Sequence, residues 1–288
     1  MEHLASKNKS NPLASLMRQP KIYIKLPSKG KYWEEGSLNL SINGEYPVYS
    51  MTAKDELLLK TPDALMNGQA VVDVIQNCMP NIVDAWQTPN IDLDVILIAI
   101  RLATYGPTMD TSVTIGTEEM NYGIDLRNLL DILNDTISWE EKIEIGEHLA
   151  LYIKPINYAT VNQTSMKNFE TQKMMSLVND STLSEEEKVN QFRESFNKLT
   201  NITLGIINTS VYKVESTAGT TEDRNDIDEF MNNCDKEIFD AVKNRLDELR
   251  IKNTLKPIKV KSSPEMLAAG ANEEMEIPLT FDPANFFA

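Results

Sequence analysis

MTAKDELLLKTPDALMNGQAVVDVIQNC, residues Met51 to Cys78, holds two helix starts, one break and one apolar helix. Thr52 followed by Asp55 has the spacing of a capping box, in which hydroxyl and carboxylate each satisfy an orphan backbone N–H. Thr61-Pro62-Asp63 starts a helix again, since proline at the first helical position gives up no needed hydrogen bond. Asn67-Gly68 then breaks it, because both residues tolerate the left-handed conformation of a helix end. Ala70, Val71, Val74, Ile75 and Cys78 follow at helical spacing and predict a face that must be buried. The stretch reads as a rigid helical corner, and nothing in it is chemistry.

The surrounding composition fits a packed, soluble chain. At 288 residues it can bury a real core as one elaborated domain or two, and 41% hydrophobic with 25% charged residues is ordinary for such a protein. A net charge of −15 argues against a general nucleic-acid binder, which needs clustered Lys and Arg for phosphate. The charge is uneven: Lys7, Lys9, Arg18, Lys21, Lys25, Lys29 and Lys31 face a lone Glu2 in the N-terminal arm. Such an arm is either solvated or lies along an acidic partner or the chain's own acidic body. Cys78 and Cys234 are no disulfide framework and fit a reducing compartment. The N-terminus shows no secretory apolar region, and the apolar run Ile91–Ala103 is interrupted by Asp92, Asp94 and Arg101. The expectation is an intracellular protein with no membrane partner.

The chain divides into four expected parts. Residues 1–20 are a flexible basic arm. Residues 21–155 form an α+β core domain: a strand over Lys21–Leu26, a turn at Pro27–Gly30, and an alternating run Ser37–Tyr49 with a hairpin signal at Asn43-Gly44. A central helix starts at Pro89-Asn90, is apolar nearly all round, and stops at Gly106. Thr111–Leu126 reads as a hairpin followed by a short helix, and Ser138 to Glu141 as a capping box opening a helix that ends near Ala150. Residues 156–252 form a helical region. There Ser184 caps a helix whose Val189, Phe192, Phe196, Leu199, Thr203 and Ile206 make a seam at three-four spacing, for an internal hairpin or an intermolecular coiled coil. Lys213–Asn225 reads as a polar loop, and Asp226 with Glu229 as the cap of a helix carrying Ile227 to Leu249, with Cys234 a packed thiol in its stripe. Residues 253–288 form a C-terminal strand hairpin and an aromatic tail. Its Glu273-Glu274-Met275 ahead of Ile277 echoes Glu118-Glu119-Met120 ahead of Ile124. The fold class is α+β, mainly helical, with small antiparallel hairpins at the N-terminal region, middle and C-terminus around helical bundles.

Catalytic constellations are missing. His3 lies in the arm and His148 in a charged segment read as helix, which leaves His-dependent acid–base or triad chemistry little to work with. No nucleophile elbow, Gly-rich phosphate loop or H-E-x-x-H occurs, and two distant cysteines without paired histidines make no usual zinc site. Glu140-Glu141 and Glu185 to Glu187 read as first-turn acids that complement the helix dipole. Any two of the 43 acids might converge as in a glycosidase, but nothing singles out a pair. What stands out is Phe281, Phe286 and Phe287 near the end of the chain, which must dock on the chain's own body or fill a neighbour's pocket.

KIYIKLPSKGKYW (residues 21–33), the Met51–Cys78 corner, RLATYG (residues 101–106) and LTFDPANFF (residues 279–287) together resemble the baseplate proteins of T-even-type contractile-tailed phages, and more narrowly their hub assembly protein. Members often carry C-x-x-C pairs in the hairpin after the RLATYG-like segment and in the one before the terminal aromatics. This chain has no cysteine around Ile115-Gly116 or between Pro264 and Gly270, so neither zinc nor another cofactor is expected. The resemblance implies a non-enzymatic structural or assembly protein acting through contacts with other baseplate or hub proteins, as a homo-oligomer or ring-symmetric assembly if it self-associates. It would sit in the host cytoplasm during assembly and in the tail baseplate if retained. A transient chaperone that leaves the virion, and a tail-associated cell-wall hydrolase, are the alternatives. The residues expected to meet a partner are Leu57 and Leu58 on the corner and Phe281, Phe286 and Phe287 in the tail.

Overall fold

The first layer of structure gathers around one helix. Asn90–Tyr105 has Val95, Ile96, Ile98, Ala99 and Ile100 completely enclosed, as an all-round apolar helix requires, and Gly106 ends it at φ +93°. In the computed structural model, residues 13, 17–61, 68–115, 118–178, 184–262, 264–268 and 270–277 are described. In chain order the N-terminal elements are β1 (Ile22–Ile24), β2 (Tyr46–Val48), α1 (Ala53–Leu59), α2 (Gln69–Cys78), α3 (Asn90–Tyr105), β3 (Thr108–Ile115), β4 (Glu118–Asp125) and α4 (Leu126–Thr136). Val74, Ile75 and Cys78 of α2 and Leu126, Leu129 and Leu133 of α4 pack with α3 in one apolar core. The corner folds as its signals predict: Thr52 and Asp55 form the capping box of α1, and Ala70, Val71, Val74, Ile75 and Cys78 are all buried. The second start at Thr61-Pro62-Asp63 and the break at Asn67 fall mostly outside the described residues, but Gly68 does take the left-handed conformation, φ +77°.

Two expectations about the N-terminal sheet meet different fates. β1 pairs antiparallel with β2, Ile22 opposite Val48 and Ile24 opposite Tyr46, so a small sheet does lead into the corner. Asn43-Gly44 is a turn, with Gly44 at φ +72°, but it closes no hairpin. Residues 37–39 instead bond the loop after α2: Asn39 N–H donates to Asn81 O at 2.8 Å and Val83 N–H to Ser37 O at 2.8 Å. The residues before the turn were claimed by a more distant partner.

The helix expected from Ser138 to Ala150 is a hairpin, β5 (Lys142–Ile145) and β6 (Leu149–Ile153). Ile143, Leu151 and Ile153 are buried at strand alternation, which outweighs the capping-box spacing. His148 therefore lies in a strand turn. Lys213–Asn225 is likewise largely paired backbone: β7 (Val211–Ser216) and β8 (Gly219–Thr221) complete an antiparallel sheet in the order β5-β6-β7-β8. This sheet joins residues on both sides of position 155. Its apolar cluster takes Ile143, Leu151 and Ile153 from one side and Ile207, Val214, Ile227, Met231, Val242 and Leu249 from the other.

The helices of the second half are α5 (Tyr158–Val178), α6 (Glu185–Ser210), α7 (Arg224–Asn233) and α8 (Lys236–Asn253). α5 and α6 lie side by side as a helical hairpin, and Ser184 and Glu187 cap α6 reciprocally. α7 starts one turn earlier than expected, capped by Asp223, whose carboxylate accepts from Asn225 N–H and Asp226 N–H. The long stripe Ile227–Leu249 is broken at Cys234-Asp235 into two helices, and the Cys234 thiol is only half-buried. At the C-terminus β9 (Ile258–Lys261) pairs with β10 (Glu274–Ile277) across a short α9 (Pro264–Ala268). Val260 is buried with Ile124 beside Met109, Tyr122 and Met275, so the two hairpins with the echoed motif touch. The result is a mainly helical α+β fold with small antiparallel sheets.

Candidate docking site

The polar groups behind the corner are paired with one another. Asp55 is 2% exposed, and its carboxylate accepts from Thr52 N–H (2.6 Å), Thr52 Oγ1 and both contacts of the Asn77 amide (2.7 and 2.8 Å). Asn77 in turn accepts the Arg18 guanidinium at its backbone oxygen (2.6 Å) and side-chain oxygen (2.7 Å), and Arg18 also reaches Ser50 O at 2.6 Å. Arg18 lies over the Tyr49 ring, 5.4 Å from its centroid. A residue expected in a flexible arm is thus the outer clamp of the corner. Residues 1–12 and 14–16 of that arm lie outside the described residues. Burial near Asp55 pushes the Cys78 thiol up to about 12, so it is an inert packed thiol.

The loop 27–33 joins the two apolar clusters. Its backbone is strained, with Lys29 at φ +55° and Tyr32 at φ +71°, a conformation that persists only where the surroundings over-determine it. Two carboxylates do so. Asp92, on α3 and completely buried, accepts from Ser28 N–H (2.8 Å), Ser28 Oγ (2.5 Å) and Trp33 Nε1 (2.9 Å). Burial pushes its carboxyl up to about 6, with the Ser28 and Trp33 bonds opposing the rise. Glu141, beside β5, accepts from Lys31 Nζ (2.6 Å), Tyr32 OH (3.0 Å) and Tyr212 OH of β7 (3.0 Å). Burial works against its ionisation, but these donors outweigh it and hold the carboxyl below its usual range. Its neighbour Glu140 pairs with Arg245 at 2.6 Å and Lys252 at 3.1 Å on α8. Glu140 and Glu141 are therefore tie points between distant elements and not first-turn helix acids. Asp92 was visible in the sequence as a charge inside an apolar run; Glu141 left no local signal.

The helical hairpin α5–α6 is built the other way round. On α6 the seam residues Val189, Phe192 and Phe196 are 54%, 51% and 60% exposed, and Met175 on α5 is 43% exposed. Facing inward instead are Ser195, 2% exposed, and Thr171 on α5, 3% exposed. Ser195 Oγ and Gln191 Oε1 are enclosed with no hydrogen-bond partner among the described residues. A monomer that exposes phenylalanines and buries unpaired hydroxyl and amide groups forgoes roughly 1.5–3 kcal/mol per apolar side chain. Neighbouring exposed apolar side chains are the kind of surface that partners cover. The seam was legible in the sequence, and the hairpin forms, but it leaves Val189, Phe192 and Phe196 uncovered while Leu199 and Ile206 are partly buried.

Leu57 of α1 is 68% exposed, and Leu58 is partly buried against the main core. Phe281, Phe286 and Phe287 lie outside the described residues. Among the described residues no group of three or more His, Cys, Asp or Glu is placed to hold a metal ion. No helix among them is long and apolar enough to cross a membrane.

No curated protein and no solved structure matches the chain. A family model does, described as T4 bacteriophage base plate protein, and it spans residues 17–267, from the Arg18 clamp through the corner, both apolar clusters and the exposed seam. By that match the chain belongs to the T4 bacteriophage base plate protein family.

Proposed function

We propose that this baseplate protein is non-enzymatic and acts at the hub of a contractile tail, by docking other baseplate proteins. The observation that carries the reading is the inverted helical hairpin, with Val189, Phe192 and Phe196 outside and Ser195, Thr171 and Gln191 inside. Three apolar side chains at three-four spacing on a 26-residue helix suit a partner helix laid along them. The two apolar clusters, joined through Asp92 and Glu141, form the rigid base from which that hairpin is presented. We place the working division of the chain near residue 137, where the second cluster begins with Trp139, instead of at 155/156. Leu57, with Leu58 behind it, is proposed as a second contact, and Phe281, Phe286 and Phe287 as a third. The protein would work in the host cytoplasm during assembly and stay in the tail baseplate if retained.

Co-expression with candidate hub proteins, followed by size-exclusion chromatography with light scattering, tests the docking reading. A stoichiometric complex is expected; a chain that stays apart from every baseplate protein contradicts it. Peptide mass spectrometry of purified tail-complete virions separates the two forms of the role. Stoichiometric presence means a structural subunit, and absence means an assembly chaperone.

A further inference from the structure

Between α3 and α8 lies a cleft of about 320 Å³, lined by Asn90 and Asp94 of α3, Trp139, and apolar side chains including Leu93, Ile137 and Leu249. It adjoins a second cavity of about 230 Å³ that shares Asn90, Trp139 and Arg250 with it. We propose that this cleft is the receptor for one arginine side chain of a docking partner, whose guanidinium meets the unpaired carboxylate of Asp94. The assignment rests on the docking reading above and adds to it a specific anchor.

Two acceptors on residues lining the cleft lack a donor, and of these the partly exposed Asp94 carboxylate is the one open to a ligand. Asp94 makes no hydrogen bond or ion pair among the described residues, and Asn90 Oδ1 is enclosed without a donor. They stand four residues apart on one helix, which puts their Cβ atoms roughly 5–6 Å apart on the same face. Asp92, two residues from Asp94, shows what the fold does with a structural carboxylate: it supplies three donors. For Asp94 it supplies none, and burial alone pushes that carboxyl up to about 6.

The donors lining the cleft have other partners, Arg250 only through a long pair at the surface. The Arg250 guanidinium sits 3.4 Å from Asp247, Asn253 Nδ2 donates to Ser138 O at 3.0 Å, and Trp139 Nε1 donates to Ile153 O at 2.8 Å. What the site lacks is a donor-only, positively charged group on an apolar stem. A guanidinium has that character: several N–H donors in one plane, weak hydration, and a flat face suited to an indole wall. A hard cation is a poor fit, because one carboxylate and one amide oxygen are few of the six to eight oxygens calcium takes. A neutral donor would leave the half-buried Asp94 charge unmatched.

The test uses the full chain and n-butylguanidinium as probe, so it does not depend on any baseplate partner. The Trp139 indole N–H signal, assigned with Trp139→Phe, is followed by two-dimensional NMR. A saturable shift is expected, with binding at least tenfold weaker for Asp94→Asn and for the neutral isostere n-butylurea. Arg250→Ala should bind at least as well as the unmodified chain, since its guanidinium is not the one the cleft awaits. No saturable shift, or equal binding by Asp94→Asn, overturns the site. Equal or tighter binding of n-butylammonium overturns the choice of arginine. Loss of binding in Arg250→Ala shows that Arg250 belongs to the site and overturns the vacancy on which the inference stands. A site that binds the probe in a chain that forms no baseplate complex would leave the guanidinium site standing while the docking reading, and with it the partner's arginine, failed.

Discussion

The first helix of the Met51–Cys78 corner and the second helix of the α5–α6 hairpin begin with the same device. Thr52 and Asp55 cap one, and Ser184 and Glu187 cap the other, each reciprocally. Beyond the caps they are opposites. In the corner every apolar residue of the α2 face is enclosed, and every polar group at its back, from Asp55 through Asn77 to Arg18, has a partner. In the hairpin Phe192 and Phe196 are outside, and Ser195 Oγ and Gln191 Oε1 are inside with no partner among the described residues. Capping decides that a helix forms, not which face the rest of the molecule covers. The α2 face is covered by the chain itself; the α6 seam is the face we propose a partner covers.

If the contrast is real, substitutions in the two regions must separate stability from binding. The largest effect belongs to the corner. Ile75 is fully enclosed, so Ile75→Ala should lower unfolding free energy by about 3–4 kcal/mol, read from the urea midpoint at unchanged slope. Arg18→Ala strands the Asn77 and Ser50 oxygens and should cost about 1.5–3 kcal/mol by the same measurement. A loss near zero would return Arg18 to a solvated arm. Gly68→Ala follows at about 1–2 kcal/mol. The left-handed φ of +77° strains any side chain there, and the added Cβ would lie 2.8 Å from Asn162 Oδ1 of α5.

Asp94→Asn sharpens the comparison by pH. The folded carboxyl ionises near 6 and the unfolded one near its ordinary value of 3.8, so the folded state holds its proton more tightly. That stabilising contribution is complete below about pH 4 and is lost as pH rises through 6. Asp94→Asn should therefore be about 1–2 kcal/mol more stable than the unmodified chain at pH 7.5, and equal to it at pH 4. Thermal melts at the two pH values check this; an equal difference at both would mean that the carboxyl is not perturbed.

How far the sequence reaches follows the same division. The α1 cap, the apolar face of α2, the α3 pillar and the β3–β4 hairpin rest on neighbours within a few residues, and all are legible. The strand β5 is not, because Ser138 to Glu141 has capping-box spacing while the acids answer to Arg245, Lys252, Lys31 and Tyr212 across the fold. The deciding signal was the alternation of Ile143 with Ile145 and of Leu151 with Ile153. β7 was hidden in a Thr- and Ser-rich stretch whose pairing partner, β6, lies far back in the chain. The seam on α6 was legible as a seam, but its exposure depends on which face α5 covers. The Asp94 cleft, assembled from α3, α8 and the segment at Trp139, has no local trace.

If α6 keeps its apolar face for another protein, the double variant Phe192→Ser/Phe196→Ser must lose binding and keep stability. Its thermal midpoint and its complex with hub proteins are to be measured side by side. Both side chains are more than half exposed, so the midpoint should move by less than about 2 °C, since surface changes stay within about 0.5 kcal/mol, while the complex is lost. A large fall in the midpoint with the complex intact would show that the seam serves the chain's own stability, and would contradict the account.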